Sequence, residues 1–389
     1  MTDDTTGNDL DMDRRTFLKS AGALGISASA IDFISEDKAQ IGDITYNPQE
    51  EVPYVAGWDY VTDDKGQLIE KDPFYNVIGK ETWRKHRQTD QAVQKTRKYL
   101  QQHFSPEEGV LLSITDDNSS PTDEKIKVMY DEEGPVSEEF LKSSLEELQS
   151  QVLTGKPDIP LEVAEHKVNE QVCQYEDKLY TEVPGGAPIT ELNSEEVGTA
   201  AASYYHPEHG QGWATAAHVV NDTGNPIAEY AVSGTAFIGE SKEYVKTAFN
   251  DIDVAYIEEQ SNEVPVPWIA NKDYSDNKDL PVKGKISNQE LREQKGNTDW
   301  HLHLQGDNTC RDHDYVSEII EGIYGNLNSI VVGDSTLTQG GDSGGPIFRI
   351  SDGDAYMAGV IRGDYNGNGT VGTSAERTEE VLDGNFMTP

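Results

Sequence analysis

This 389-residue chain is short of basic residues relative to acidic ones and nearly lacks cysteine. Lysine and arginine number 31 against 71 acidic residues, giving a formal charge of -40. That balance excludes a nucleic-acid partner, because binding a phosphate backbone needs a dense basic stripe, and it disfavours anionic membrane surfaces for the same reason. With only Cys173 and Cys310 present, one disulfide is the most the chain can form, so no disulfide framework holds the fold. An apolar run long enough to span a bilayer permanently is also missing. High charge with low hydropathy can mark disorder, but strand-spaced hydrophobic segments, 35 glycines and 18 tyrosines read as folded chain. The acidic excess reads instead as adaptation to concentrated salt, as in a halophile, where the screening length shrinks to about 3 Å at 1 M. The length points to two folded units of about 100 to 200 residues plus extra segments.

The amino terminus pairs Arg14 and Arg15 with Phe17, Leu18 and Lys19, followed by a short run rich in Gly and Ala. Adjacent arginines ahead of a weakly hydrophobic stretch are the pattern of a twin-arginine export signal, a route that carries folded proteins. Residues 1–39 are therefore expected to be a signal peptide, with Ala28-Ser29-Ala30 or Ala39 marking the cut, and the protein to be secreted or extracytoplasmic.

Residues 40–182 read as a smaller, separate α+β region. The spacing predicts a helix over Lys80 to Phe104, unusually basic for this chain, with Trp83, Val93, Leu100 and Phe104 as buried anchors. Strands are expected over Val110 to Ile114, Lys125 to Tyr130 and Leu161 to Val168. Ser137 should cap a helix whose Phe140, Leu141, Leu145, Leu148 and Val152 share one face before Gly155 ends it. A basic helix ahead of an acidic domain suits a pro-region that docks on it; a permanent accessory domain fits the composition equally well.

Residues 183–389 carry the chemistry. Short apolar runs broken by Gly, Thr and Val suit antiparallel barrels rather than βαβ units. The segment Gly341-Asp342-Ser343-Gly344-Gly345-Pro346 surrounds a serine with glycines. Successive N–H groups can face inward there, so those of Gly341 and Ser343 are candidates for an oxyanion hole. An alcohol is a weak nucleophile near neutral pH and needs a base, which in turn needs an orienting carboxylate. His218, in Thr215-Ala216-Ala217-His218-Val219-Val220, is the candidate base. Asp253 and Asp251 both enter the apolar run that follows, and alternation puts both on one strand face.

Taken in order, TAAHVV, DVAYI and GDSGGP resemble the His, Asp and Ser segments of chymotrypsin-type serine peptidases, an order that excludes subtilisin and α/β-hydrolase arrangements. GTAAASYYHPEHGQGWATAAHVV is similar to the opening hairpin of streptogrisin-like and α-lytic-type enzymes, and Ser374 to Leu382 to their terminal helix. The resemblance selects Asp253 over Asp251. It implies a mainly β fold of two six-stranded antiparallel barrels, with the triad His218, Asp253 and Ser343 in the crevice between them. It also implies a serine endopeptidase that works on protein or peptide substrates through an acyl-enzyme and requires no cofactor or metal. Departures exist: Val219 stands where the family has a cysteine after its histidine, and the paired cysteines around the serine are missing. Leu337, Thr338, Gln339 and the strand Gly359 to Gly363 match the walls of the family's primary pocket. No acidic residue appears at the position of its basic-specific members, while Arg362 could meet acidic side chains or serve structure.

Two weaker patterns remain. His301, His303, Cys310 and His313 could be counted as zinc ligands, but their spacing matches no metal pattern and reads better as a polar strand and loop. Asp364 to Gly369 imitates half a calcium loop, yet Ala375 stands where the bidentate Glu is required; a hairpin turn fits better.

Overall fold

The computed structural model describes residues 32–35, 38–104, 110–117, 120–130, 136–138, 140–145, 161–165, 168–169, 179–192, 194, 196–231, 234–247, 252–270, 278–322, 327–365 and 367–389. The export signal around Arg14 and Arg15, the Ala28-Ser29-Ala30 site, Cys173 and Asp251 lie outside them. Among the described residues no helix is long and apolar enough to cross a membrane.

The protein is mainly β, as the sequence led one to expect. Residues 183–389 divide into a first and a second half, and the first half is built on a single antiparallel sheet. Six strands carry it: Pro188–Glu191, Pro226–Ala231, Gly234–Lys246, Asp253–Glu259, Gly210–Thr215 and Ala202–His206. Val197–Thr199 is added at one edge and Asn385–Phe386 at the other, where Tyr204 pairs with Phe386. The inner face buries Ile189, Trp213, Ala217, Val220, Ile227 and Ile257. The second half contains Leu280–Ile286, Leu302–Gly306, the nearly continuous Cys310–Asp314 and Val316–Gly322, Leu327–Val332, Pro346–Ser351, Asp354–Tyr365 and Thr370–Ser374. Leu302, Leu304, Ile319, Ile330, Ile347 and Ile361 form its core. A third cluster, including Tyr204, Val254, Tyr256, Phe348, Val360 and Phe386, joins the two halves. Each such fully buried side chain contributes about 1.5–3 kcal/mol, so the seam is a rigid floor for a site. The terminal helix Ala375–Val381 falls within the expected Ser374 to Leu382, and the Ser374 hydroxyl caps it by accepting from Arg377 N–H (3.3 Å).

The basic helix spans Lys80–His103, and Val93, Leu100 and Phe104 are buried as anticipated, with Trp83 half-buried. The expected strands form as Leu111–Asp117 and Ser120–Tyr130, which pair antiparallel, and Leu161–Glu165 adds in parallel. Ser137 Oγ accepts from Phe140 N–H (3.3 Å), and Leu141 and Leu145 are buried. Phe140 departs from the expectation: it is 53% exposed. Leu148, Val152 and Gly155 lie outside the described residues.

Residues 40–182 are tied into the second half through the backbone. Glu51–Thr62 pairs with Leu280–Ile286, Leu111–Asp117 with Val316–Gly322, and Val168–Asn169 with Tyr365 and Asp364. Ion pairs cross the same boundary: Arg97 with Glu321, Arg292 with Asp90, Lys127 with Glu318 (3.0 Å) and His86 with Glu293 (2.7 Å). Sequence periodicity reports which face a strand buries, but carries nothing about which distant edge it joins. Ala39 is buried within the meander of Asp32–Ser35, Lys38–Ile41 and Ile44–Tyr46.

Candidate active site

The strand Gly210–Thr215 drives its fully buried Trp213 into the first core, and the indole N–H donates to Val183 O (3.2 Å). The chain then makes one helical turn, Ala217–Val220, which stops at Asn221 in a left-handed conformation (φ 57°). Small Ala216 and Ala217 let that turn sit against the sheet, and His218 is the polar residue it carries. Asp253 begins the neighbouring strand and receives two bonds from this residue. His218 N–H donates to Asp253 Oδ1 (3.0 Å), and His218 Nδ1 lies 2.6 Å from Asp253 Oδ2.

Burial of Asp253 opposes its ionisation, but the imidazole bonded to it, Arg362 and Lys246 outweigh that and hold the carboxyl below its ordinary value. The aspartate is therefore an acceptor only, so Nδ1 carries the hydrogen and Nε2 keeps its lone pair. Nε2 is buried and has no hydrogen-bond partner among the described residues. An imidazole in this state can accept a proton at Nε2.

Ser343 sits in a turn shaped by glycine. Gly341 and Gly344 have φ of 104° and 90°, and a Cβ on Gly344 would lie 2.2 Å from both Thr199 O and Thr215 Oγ1. This close approach presses the serine turn of the second half against the strand that leads to His218. Thr199 N–H donates to Ser343 O (2.7 Å) and Thr199 Oγ1 to Gly341 O (2.6 Å), strapping the turn to the first half. Among the described residues, the N–H groups of Gly341 and Ser343 donate to nothing. They are thus available to an anionic oxygen.

The structure brings His218 and Asp253 into a bonded pair, but the Ser343 hydroxyl is turned elsewhere: it donates to Arg362 O (2.9 Å). Arg362 is wholly buried, and its Nη1 donates to Ser329 Oγ (3.2 Å). Its guanidinium favours the ionised form of Asp253, a role that sequence did not reveal.

A second residue missed by sequence reasoning is Asp342. Its carboxylate accepts from Asn308 N–H (2.8 Å), Thr309 N–H (3.1 Å), Thr309 Oγ1 (2.6 Å) and Gln339 N–H (2.7 Å). Burial pushes its carboxyl up despite these donors. The motif shows the aspartate; three of its four donors come from a distant loop.

Around the expected specificity walls, Thr338 is buried with its hydroxyl 3.0 Å from Thr370 Oγ1, and Leu337 N–H donates to the same oxygen (3.2 Å). Just past the strand Gly359 to Gly363, nearly buried Asp364 accepts from Thr336 Oγ1 and from Gly367 N–H. The Asp364–Gly369 segment is the hairpin turn between Asp354–Tyr365 and Thr370–Ser374.

His303 and His313 face each other across a strand pair with rings 5.3 Å apart, and His301 packs on His313 at 5.0 Å. Burial and these neighbours lower His303 to about 4. The Cys310 side chain lies outside the described residues, as does any bond to Cys173. Elsewhere, His206, His209 and Glu243 approach within reach of one ion. Yet His206 Nδ1 accepts from the N–H groups of Glu208 (3.1 Å) and His209 (3.3 Å), so Nε2 holds the proton and has no lone pair for a metal.

No protein-family model and no curated protein sequence matches the chain. Among solved structures, it is similar to Nocardiopsis protease (NAPase), with 16% identity and a TM-score of 0.39 over 53% of this chain and 100% of that one. Chymotrypsin of Cellulomonas bogoriensis gives 16% identity and 0.38, covering 54% and 100%. The secreted serine protease VesC from Vibrio cholerae gives 19% identity and 0.32, covering 54% and 47%. At these identities and TM-scores the similarity says nothing of activity, and any chemistry assigned to this chain has to come from its own side chains.

Proposed function

We propose that this protein is a secreted serine endopeptidase of the chymotrypsin type, working in concentrated salt, with Ser343 as nucleophile, His218 as base and Asp253 as the carboxylate that orients it. The observation that supports this most is a buried histidine whose Nδ1 is committed to an ionised aspartate while Nε2 is unpaired, beside a glycine-lined serine turn. In this reading the Ser343 hydroxyl turns about its χ1 from Arg362 O to His218 Nε2, gives up its proton as it attacks the substrate carbonyl, and forms a tetrahedral intermediate. Its oxyanion is held by the N–H groups of Gly341 and Ser343. The imidazolium, stabilised by Asp253, then passes its proton to the leaving amine, and water repeats the cycle on the acyl-enzyme. Protein or peptide chains are the substrates, and the reaction needs no cofactor, metal or nucleic acid.

Export follows the twin-arginine route, and residues 40–182 act as a pro-region docked on the peptidase half through the strand and ion pairs described above. One observation favours a second reading, a non-catalytic binding protein on this fold: the Ser343 hydroxyl is bonded to Arg362 O and not to His218. Hydrolysis of a peptide library in molar salt separates the two. Cleavage that Ser343→Ala abolishes supports the enzyme; no cleavage by folded protein freed of its amino-terminal region supports the binding protein.

A further inference from the structure

The helix Lys80–His103 holds seven of the chain's 31 basic residues and two of its 71 acidic ones, so its charge runs against that of the whole protein. Arg87, Asp90, Gln94 and Arg97 recur at spacings of three and four and share one face. That face forms one wall of a cavity of about 720 Å³. Asn288 and Arg292 from the helix Asn288–Glu293, Glu321 from the strand Val316–Gly322 and Glu376 from the terminal helix supply the others. Every side chain that lines it is charged or carries an amide, which excludes an apolar ligand. Its volume is that of a small-molecule site.

The charges around this cavity do not cancel. Asp90 is shared by Arg292 and, at 3.9 Å, by Arg87, while Glu321 is shared by Arg292 and Arg97. Three guanidinium groups thus stand on two carboxylates, and Lys95 lines the same cavity. Arg97 is only 9% exposed, and its Nε–H donates to nothing among the described residues. Burial and the neighbouring Arg292 both press against its charge and hold its pKa below the ordinary value, although Asp90 opposes them. The remaining acid, Glu376, already accepts from Asn288 N–H (3.2 Å), and burial raises its carboxyl, so it opposes an anion less than an exposed carboxylate would. Guanidinium groups with surplus charge and spare donors suit an oxyanion, because paired N–H groups meet two oxygens of one group.

We propose that this cavity binds a small multivalent oxyanion, with phosphoryl compounds as the fitting class, and that the bound anion fastens the basic helix to residues 183–389. Arg87, Lys95 and Arg97 come from the helix, and Arg292 from the other side of the boundary, so an anion held by both sets must leave before the two can part. The cavity shares no residue with His218, Asp253 and Ser343. Its role is the same whether residues 40–182 are later removed or kept.

The probe is inorganic pyrophosphate, added to the full chain carrying Ser343→Ala in about 1 M sodium chloride, where general screening is already strong. Isothermal titration calorimetry should show one saturable site. At ten times its dissociation constant the probe should slow cutting of the Lys80–His103 helix by an added protease about tenfold, because opening is suppressed by the factor 1 + [L]/Kd. Arg87 is the most exposed of the three arginines, its side chain 43% accessible, so Arg87→Gln leaves the buried pairs intact. That variant should bind about tenfold more weakly, for the loss of one charge-assisted contact, and keep only about twofold protection at the same concentration. Lys98→Gln removes the same charge from an exposed position of the same helix outside the cavity, and should change neither readout. No saturable heat, or equal losses from Arg87→Gln and Lys98→Gln, overturns the site. Binding that leaves the cutting rate unchanged overturns the fastening role. These readouts need no catalytic activity, so they hold or fail independently of Ser343 as a nucleophile.

Discussion

Asp253→Asn isolates the orienting carboxylate at almost constant shape. In the native chain two donors of His218, its N–H and its Nδ1, converge on two oxygens of one buried side chain. An amide offers only one oxygen. If that oxygen keeps the backbone N–H, the NH2 group faces Nδ1, which can then only accept, and the ring hydrogen moves to Nε2. The base is lost although every atom stays near its place. The expected fall in kcat is about 10⁴, which corresponds to about 5.5 kcal/mol of transition-state stabilisation. KM should stay within a few-fold, because no substrate contact changes. Stability should shift by only about 1–3 kcal/mol, since one buried charge and one imperfect hydrogen bond are exchanged for another pair. Steady-state kinetics on a peptide ester in molar salt, with thermal unfolding as control, measures both. A variant within tenfold of the native kcat would refute the assigned tautomer and with it the role of Asp253.

Four further outcomes are expected. Asp342→Ala strands the N–H groups of Asn308, Thr309 and Gln339 and should lower kcat by about 10²–10³ through a displaced oxyanion loop, read as a kcat loss with KM little changed. Gly344→Ala meets both a positive φ and backbone 2.2 Å away, so unfolding in denaturant should show a loss on the order of 3 kcal/mol or no folded protein at all. His86 is half-buried, which disfavours its charge, but Glu293 overcomes this and raises it above 6.5; its contribution to holding the basic helix is full below 6.5 and vanishes as pH rises through the elevated value. Protease susceptibility of the Lys80–His103 helix should therefore increase on that rise, and His86→Ala should remove the pH dependence. Finally, with a net charge of -40, Tm should climb steadily between about 0.1 and 3 M salt as self-repulsion is screened.

The candidate site was legible because the proposed reactivity restricts the residues that can supply it. The glycines around Ser343 and the small residues beside His218 are needed for close backbone approach, so they survive as short readable strings. Asp253 was separable from Asp251 only through the family resemblance, since strand alternation treats both alike; in the structure Asp253 meets His218, and Asp251 lies outside the described residues. The basic helix was readable from its periodicity almost to the residue. What stayed hidden is nonlocal. Nothing local to Glu51–Thr62 or Leu111–Asp117 says that their edges continue the second half's sheet. Nor does the serine motif announce that Asn308 and Thr309 bind its aspartate, or that Arg362 O takes the serine's hydrogen. Phe140 fits the apolar face of its helix in sequence and meets Phe104 edge to face, ring centroids 5.7 Å apart, yet remains exposed.

Labelling with a serine-directed phosphonate tests the central claim most directly. In molar salt, on protein freed of its amino-terminal region, mass spectrometry should find one adduct, on the peptide that contains Ser343, and none after His218→Ala or Ser343→Ala. Folded protein that stays unlabelled, or an adduct that persists in both variants, would contradict the account.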